Sequence, residues 1–347
     1  MATPLLTALR RAYPLAHLTW VVEHSAADSL AANPHIDELL IWDSRYWRSM
    51  ARTRGISWLA YALQMKAELR RRCYDTLISF QPEEWPTLLT GTGAAATIGV
   101  FDTFRQFTGD AKTSSYARRY TNAFTFGDLP EHRTDQYLLP LQALGLPPSD
   151  DKQMVLGFTA DDAAAADDFL KQQGYVEEQM LVVLAPMTTW TSRNWPAENY
   201  VQLGDALTKQ GHQVAVISSP SPKEREAVSH IAGQMRTMPI FAPGSLSFRQ
   251  MAALTARASL VISGDTGPMH VAAAVGTPYL ALFGPTPVLG RAPLAGRGLS
   301  LAHAVPCGPC DKEFCTQTDT NYLRCLKLIT VEEALAATEQ LLPSALL

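Results

Sequence analysis

In the second half of the chain, apolar runs too short for helices recur at regular intervals. Leu181–Ala185, Gln213–Ser218, Ser259–Ile262 and Tyr279–Phe283 are predicted as strands, because adjacent as well as alternate positions are apolar, as in strands covered on both faces. Between them, apolar positions recur with helical spacing. Helices are predicted over Ala197–Lys209, stopped by Gly211, over Lys223–Met235 and over Phe248–Ala258, with a closing helix over Val331–Leu342. The first half is less regular. It predicts a helix through Arg11, a strand Leu18–Val22, a short helix Ala26–Ala32, a strand Glu38–Ile41, a long helix Ser57–Arg72, and strands Thr76–Phe80 and Thr97–Val100. Strands separated by helices imply parallel sheets with crossover connections. The pattern restarts after Leu146-Pro147-Pro148-Ser149. The expected architecture is therefore α/β with two doubly wound, Rossmann-like units, residues 1–150 and 151–347, and a site in the crevice between them.

The most informative stretch runs from Ser263 to Thr286. Pro268 suits the start of a helix and Gly276 the residue just past its end, so Asp265-Thr266-Gly267 forms a turn between strand and helix. Such a turn directs backbone N–H groups and a positive helix end at the carboxyl edge of a parallel sheet, where phosphates and sugars bind. The competing reading is that Thr266 or Asp265 simply caps the helix.

Composition narrows the class. With 47% hydrophobic and 18% charged residues the chain reads as soluble and globular, and no apolar run is long enough to cross a bilayer. The segment Met1–Arg11 lacks the features of a secretory signal, so cytoplasmic residence is expected. The formal charge of −4 excludes a nucleic-acid binder. Basic clusters at Arg45, Arg48, Arg52 and Arg54, at Arg70–Arg72 and at Arg118-Arg119 suit solvated faces or an anionic ligand. Residues 101–130 lack periodicity and carry Lys112, Arg118 and Arg119, which suits a loop lining an acceptor site, with these three as its candidate contacts, and equally an ordinary surface excursion.

Several motifs are excluded by context. Gly91-Thr92-Gly93-Ala94-Ala95-Ala96 matches a dinucleotide fingerprint in letters, but a helical segment precedes it and a strand follows, the reverse of what phosphate binding needs. A single Asp-Thr-Gly in an α/β setting is not an aspartic protease, which needs two such turns in a β protein. No nucleophile elbow or P-loop is present. By contrast, Thr188-Thr189-Trp190-Thr191-Ser192-Arg193-Asn194-Trp195-Pro196 follows a strand with hydroxyls, an amide and a guanidinium, groups suited to a diphosphate. His270, in the first turn of the Pro268 helix, is either structural or a hydrogen-bonding partner for a sugar or phosphate oxygen. Four cysteines are spaced Cys307-x2-Cys310-x4-Cys315-x9-Cys325. In a reducing compartment this favours metal over disulfides, but it matches no standard zinc pattern; a structural metal, a redox pair and unlinked thiols all stay open. No catalytic metal and no cofactor is implied.

Taken together, these residues resemble glycosyltransferase family 9, the ADP-heptose:lipopolysaccharide heptosyltransferases. The resemblance rests on Thr3–Leu6 through Tyr13-Pro14, Tyr74–Ile78, Trp195-Pro196, Ser263–Ala274 and Leu282–Thr286, and the cysteine run is similar to tails of many members. It implies the GT-B fold, with the donor nucleotide-sugar in the C-terminal domain and the acceptor in the N-terminal one. It implies inverting transfer of a heptose or similar sugar from an ADP-sugar to a lipopolysaccharide-core or similar glycolipid acceptor, with peripheral contact at the inner membrane. Carried over by position, Thr188 and Thr189 hold phosphates, and Arg193 stands where the family has a phosphate-binding Lys. Glu224 is placed at the ribose, Asp265 at sugar hydroxyls, and Thr266, Gly267 and His270 at the diphosphate. The resemblance also implies a strand and a Gly-Asp turn directly before the segment at Met1–Pro4, with that Asp as general base. The expectation is thus of a first domain short of its first strand, with no base named in residues 1–347. A non-catalytic nucleotide-sugar binder and a GT-B-like epimerase or hydrolase are the alternatives.

Overall fold

The structure, a computed structural model, describes residues 1–43, 57–80, 92–101, 117–125 and 129–342. The chain divides into two compact units, Met1–Ala27 with His35–Lys152, and Asp28–Pro34 with Gln153–Leu347. The excursion of residues 28–34 into the second unit has no signature in the sequence.

In the first unit, helix α1 (Thr3–Ala12) begins with Pro4 in its first turn and ends on Arg10 and Arg11, cations that suit its carboxyl end. Its Leu5, Leu6 and Leu9 are buried. Strand β1 (Thr19–Glu23) pairs in parallel with β2 (Glu38–Trp42), Thr19 lying opposite Glu38. Between them, His24–Ser29 forms a 3-10 turn where the sequence predicts a short helix. After α2 (Ser57–Arg71), β3 (Thr76–Ser79), β4 (Ala96–Val100) and β5 (Asn122–Phe124) form a second parallel sheet. Helices α3 (Arg133–Leu138) and α4 (Pro140–Ala143) bury Leu138 and Leu141 against Leu5 and Leu9.

Among the described residues, β1 and β3 share no hydrogen bonds, so this unit holds two short sheets and not one. A cavity of about 1190 Å³ is lined by His17–Glu23, by Cys73–Phe80 and by Leu5, Leu6 and Leu9.

The second unit is continuous. It comprises α5 (Ala160–Gln172), β6 (Leu181–Ala185), α6 (Ala197–Lys209), β7 (Gln213–Ser218), α7 (Pro222–Gln234), β8 (Ile240–Pro243) and α8 (Phe248–Arg257), then β9 (Leu260–Gly264), α9 (Gly267–Val275), β10 (Tyr279–Phe283), β11 (Gly298–Ala302), α10 (Arg324–Lys327) and α11 (Val331–Leu341). The strands form one sheet in the order β11-β10-β9-β6-β7-β8, every neighbouring pair parallel. Strand β6 starts the chain's path outward through β7 and β8, whereas β9 returns to its other side and leads outward through β10 and β11. The strand order therefore reverses between β6 and β9, the position at which open α/β sheets bind ligands beyond their carboxyl ends.

Every residue of β6, β9 and β10 is buried, as their unbroken apolar runs predict. Helices α6 and α11 cover one face through Tyr200, Leu203, Ala334 and Leu341, and the Trp195 indole donates to the Ile329 carbonyl at 2.9 Å. Gly276 closes α9 at φ +85°, a left-handed cap that a side chain would strain. No described helix is long and apolar enough to cross a membrane.

Candidate functional site at the carboxyl edge of the second sheet

The loops after β6 and β9 meet because their strands are neighbours, with Ala185 opposite Ser263. Their approach is close. A Cβ on Gly264, the last residue of β9, would lie 2.9 Å from the Thr188 methyl and 3.0 Å from the Arg193 carbonyl oxygen, so only glycine lets the two segments pack here.

Thr188 shapes its loop from within. Its hydroxyl lies 2.6 Å from the Trp190 carbonyl and 2.9 Å from Asn194 Oδ1, which also accepts the Thr188 N–H at 2.9 Å. Thr189 is exposed. The chain then turns through Thr191–Arg193 and directs the Arg193 guanidinium back over the Trp190 ring, 3.7 Å from its centroid. Arg193 Nη1 reaches to 3.4 Å from Asp265 Oδ2, so the cation and the carboxylate singled out separately in the sequence share one place. Both are buried, Arg193 at 8% and Asp265 at 5% exposure.

Thr266 precedes α9 in an extended conformation, and no side chain caps this helix. The capping alternative is not realised, which leaves the start of α9 available to an anion. Gly267 is exposed and a Cβ there would meet nothing; His270 is half-buried one turn further on. Glu224, in the first turn of α7 beyond the neighbouring strand β7, accepts the Ser219 N–H at 3.2 Å. It belongs to the same sheet edge but makes no ion pair with the Arg193–Asp265 group.

Three participants lack a local sequence signature. Arg291, in the loop after β10, places Nη1 3.9 Å from Asp265 Oδ2 and Nη2 2.7 and 3.0 Å from the two carboxylate oxygens of Asp311. Trp190 lies within cation–π range of Arg193 and, at 5.9 Å, of Arg291. Despite these neighbours, Asp265 Oδ2 and Arg193 Nε are buried without a hydrogen bond. A buried polar atom left in this state calls for a partner that the protein does not supply. Burial pulls the Arg193 guanidinium below its ordinary pKa, with Asp265 opposing this and Arg291 adding to it. An arginine stays charged under such pressure.

The cysteines lie beside this group. Cys307, Cys310, Cys315 and Cys325 line one cavity of about 140 Å³ together with Ser192 and Pro285. Burial pushes the Cys325 thiol up. Among the described residues no three His, Cys, Asp or Glu side chains are placed to hold a metal ion. The cysteine segment is instead tied to the site by hydrogen bonds. Ser192 donates its hydroxyl to the Lys312 carbonyl at 2.6 Å and its N–H to the Glu313 carbonyl at 3.3 Å, while the Asp311 N–H donates to the Pro285 carbonyl at 2.8 Å. In the first unit, Arg118 and Arg119 are exposed just ahead of β5, and Lys112 lies outside the described residues.

Residues 62–320 match the sequence profile of glycosyltransferase family 9 (heptosyltransferase). The chain belongs to this family. Lipopolysaccharide heptosyltransferase 1 of Pseudomonas aeruginosa is 28% identical over 341 residues, covering 96% of this chain and 89% of that protein. Among solved structures, a glycosyltransferase family 9 protein of Veillonella parvula matches with a TM-score of 0.79 at 24% identity, covering 98% of this chain and 92% of that one. The E. coli heptosyltransferase WaaC, solved with ADP-2-deoxy-2-fluoro heptose, matches with a TM-score of 0.68 at 20% identity, covering 98% and 94%. The protein is thus a glycosyltransferase with the GT-B fold. In this family 9 transferase, the edge between β6 and β9 offers two guanidiniums and an open helix start to an anion, and a buried carboxylate to hydroxyl donors.

Proposed function

We propose that this protein transfers a heptose, or a similar sugar, from an ADP-sugar to a lipopolysaccharide-core acceptor with inversion at the anomeric carbon. The observation that carries the reading is the pair of buried atoms without a hydrogen bond, Asp265 Oδ2 and Arg193 Nε, at the reversal point of the sheet beside an uncapped helix. Asp265 accepts hydroxyls of the donor sugar. Arg193 and the N–H groups at Thr266 and Gly267 receive the diphosphate, with Thr188, Thr189 and His270 completing its surroundings and Glu224 serving the ribose. As the acceptor oxygen bonds to the anomeric carbon, the bond from that carbon to the diphosphate breaks. Charge then gathers on the departing ADP, where fixed cations and dipoles in a dry site have their largest effect. The acceptor hydroxyl gives its proton to a base on the acceptor side, and residues 1–150 form the acceptor domain, with Lys112, Arg118 and Arg119 meeting anionic groups of the acceptor. Residues 151–347 form the donor domain. The enzyme works in the cytoplasm, in contact with the inner face of the membrane that carries its acceptor.

The test is calorimetric titration of the purified chain with ADP and UDP. ADP binds and UDP does not, and Arg193→Ala weakens ADP at least tenfold, the size of one charge-assisted contact, measured below the melting temperature that loss of this buried ion pair lowers. Equal binding of both nucleotides sinks the donor assignment. Unchanged ADP affinity in Arg193→Ala removes Arg193 from the site.

A further inference from the structure

Arg193 is one of two guanidiniums at Asp265, and the second is held differently. Arg193 lies over the Trp190 ring, whereas Arg291 comes from the loop after β10 and is gripped by Asp311, whose two oxygens take Nη2 at 2.7 and 3.0 Å. That grip leaves Nη1 directed at Asp265 Oδ2, 3.9 Å away, on the oxygen that Arg193 Nη1 approaches to 3.4 Å. Asp311 itself is placed at a cost. Its backbone sits at φ +47°, in the left-handed region that a residue with a side chain rarely adopts, and its N–H is pinned to the Pro285 carbonyl at 2.8 Å. The next two residues are fastened to Ser192, the neighbour of Arg193.

We infer that Arg291 is a second cationic contact for the donor's diphosphate, and that Asp311 is a positioning residue that aims it. The inference rests on the donor site proposed above. Its physical basis is charge balance. The two arginines and two aspartates sum to zero, but their exposure is unequal: Arg193, Arg291 and Asp265 are covered and Asp311 is the one open to water, so the covered part of the group carries an excess of positive charge beside the helix end. Asp311 is 40% exposed at its side chain and Arg291 13%, so water screens the carboxylate more than the guanidinium it holds. The cysteine-bearing segment thereby becomes part of the donor site although none of its thiols touches the ligand.

The experiment titrates ADP, and adenosine as the phosphate-free control, into the full-length protein and its variants. Arg291→Ala and Asp311→Asn each raise the Kd for ADP about tenfold and leave adenosine within about twofold. Asp311→Glu recovers most of the loss. The exchange variant Arg291→Asp with Asp311→Arg restores the ion pair and the melting temperature but not the affinity for ADP, which keeps the test valid if a single variant folds poorly. Either of two results overturns the inference: Arg291→Ala and Asp311→Asn binding ADP as wild type does, or both losing ADP and adenosine in equal measure, the mark of a merely structural pair. Failure of the donor reading shows elsewhere, as wild-type protein that binds no ADP, and it removes this inference as well.

Discussion

Two glycines three residues apart separate what the protein needs for folding from what it needs for its ligand. A methyl group at Gly264 meets protein on two sides, the Thr188 methyl at 2.9 Å and the Arg193 carbonyl at 3.0 Å, whereas one at Gly267 meets nothing. Overpacking of this kind costs about 1–3 kcal/mol. Replacing glycine by alanine returns about 0.5 kcal/mol by restricting the unfolded chain. Gly264→Ala therefore destabilises the second unit by about 0.5–2.5 kcal/mol, which at about 2–4 °C per kcal/mol for a unit of this size lowers Tm by about 1–10 °C. The strain falls on the backbone that carries Arg193, so affinity for ADP falls with it. Gly267→Ala leaves Tm unchanged or slightly raised, and lowers affinity for ADP only because the new methyl stands where the diphosphate approaches the start of α9. Calorimetry and ADP titration on both variants decide the matter. A Gly267→Ala protein with wild-type affinity refutes the placement of the diphosphate, and a Gly264→Ala protein with wild-type Tm refutes the packing argument.

Trp190→Ala removes the ring beneath Arg193 and, at about 0.5–2 kcal/mol for a partly desolvated cation–π contact, weakens ADP binding by about two- to thirtyfold; Trp190→Phe restores much of it in the same titration. Thr159→Ala breaks the reciprocal cap between Thr159 and Asp162 at the start of α5, costing about 1 kcal/mol in denaturant unfolding without effect on ADP binding. Asp37 is held below its ordinary pKa of 3.8 by the Leu18 N–H and Arg10, and Asp162 below the same value by the Thr159 N–H. Both bind protons more weakly folded than unfolded, so their stabilisation is intact above about pH 4 and is lost as pH falls through their lower folded values. Acid unfolding of Asp37→Asn with Asp162→Asn shows a flatter pH dependence than wild type below about pH 4; an unchanged slope would falsify the assignment.

The sequence made some of this legible and hid the rest for physical reasons. Arg193 and Asp265 are readable because each follows a wholly buried strand by a few residues, and parallel strands put such loops on one edge. Arg291 and Asp311 are not, since their pairing spans 20 residues of irregular chain and depends on the fold alone. Strand β8 escapes notice because it is four residues long and ends in Pro243; β11 because Gly298–Ala302 is half-covered at the sheet edge and lacks an unbroken apolar run. Helix α5 carries its cap in plain letters, Thr159 and Asp162, but its Ala-rich body buries little beyond Ala166 and Leu170 and shows a faint stripe.

The split sheet of the first unit bears on how the molecule comes apart. Among the described residues the first unit holds sheets of two and three strands, against the six-stranded sheet of the second with three wholly buried strands, and so has fewer ladder bonds and less buried strand surface to hold it. On heating, the amino-terminal half melts first, and nucleotide binding outlasts it. On the proposed donor reading, nucleotide affinity then reports on the second unit alone and is no measure of competence for transfer.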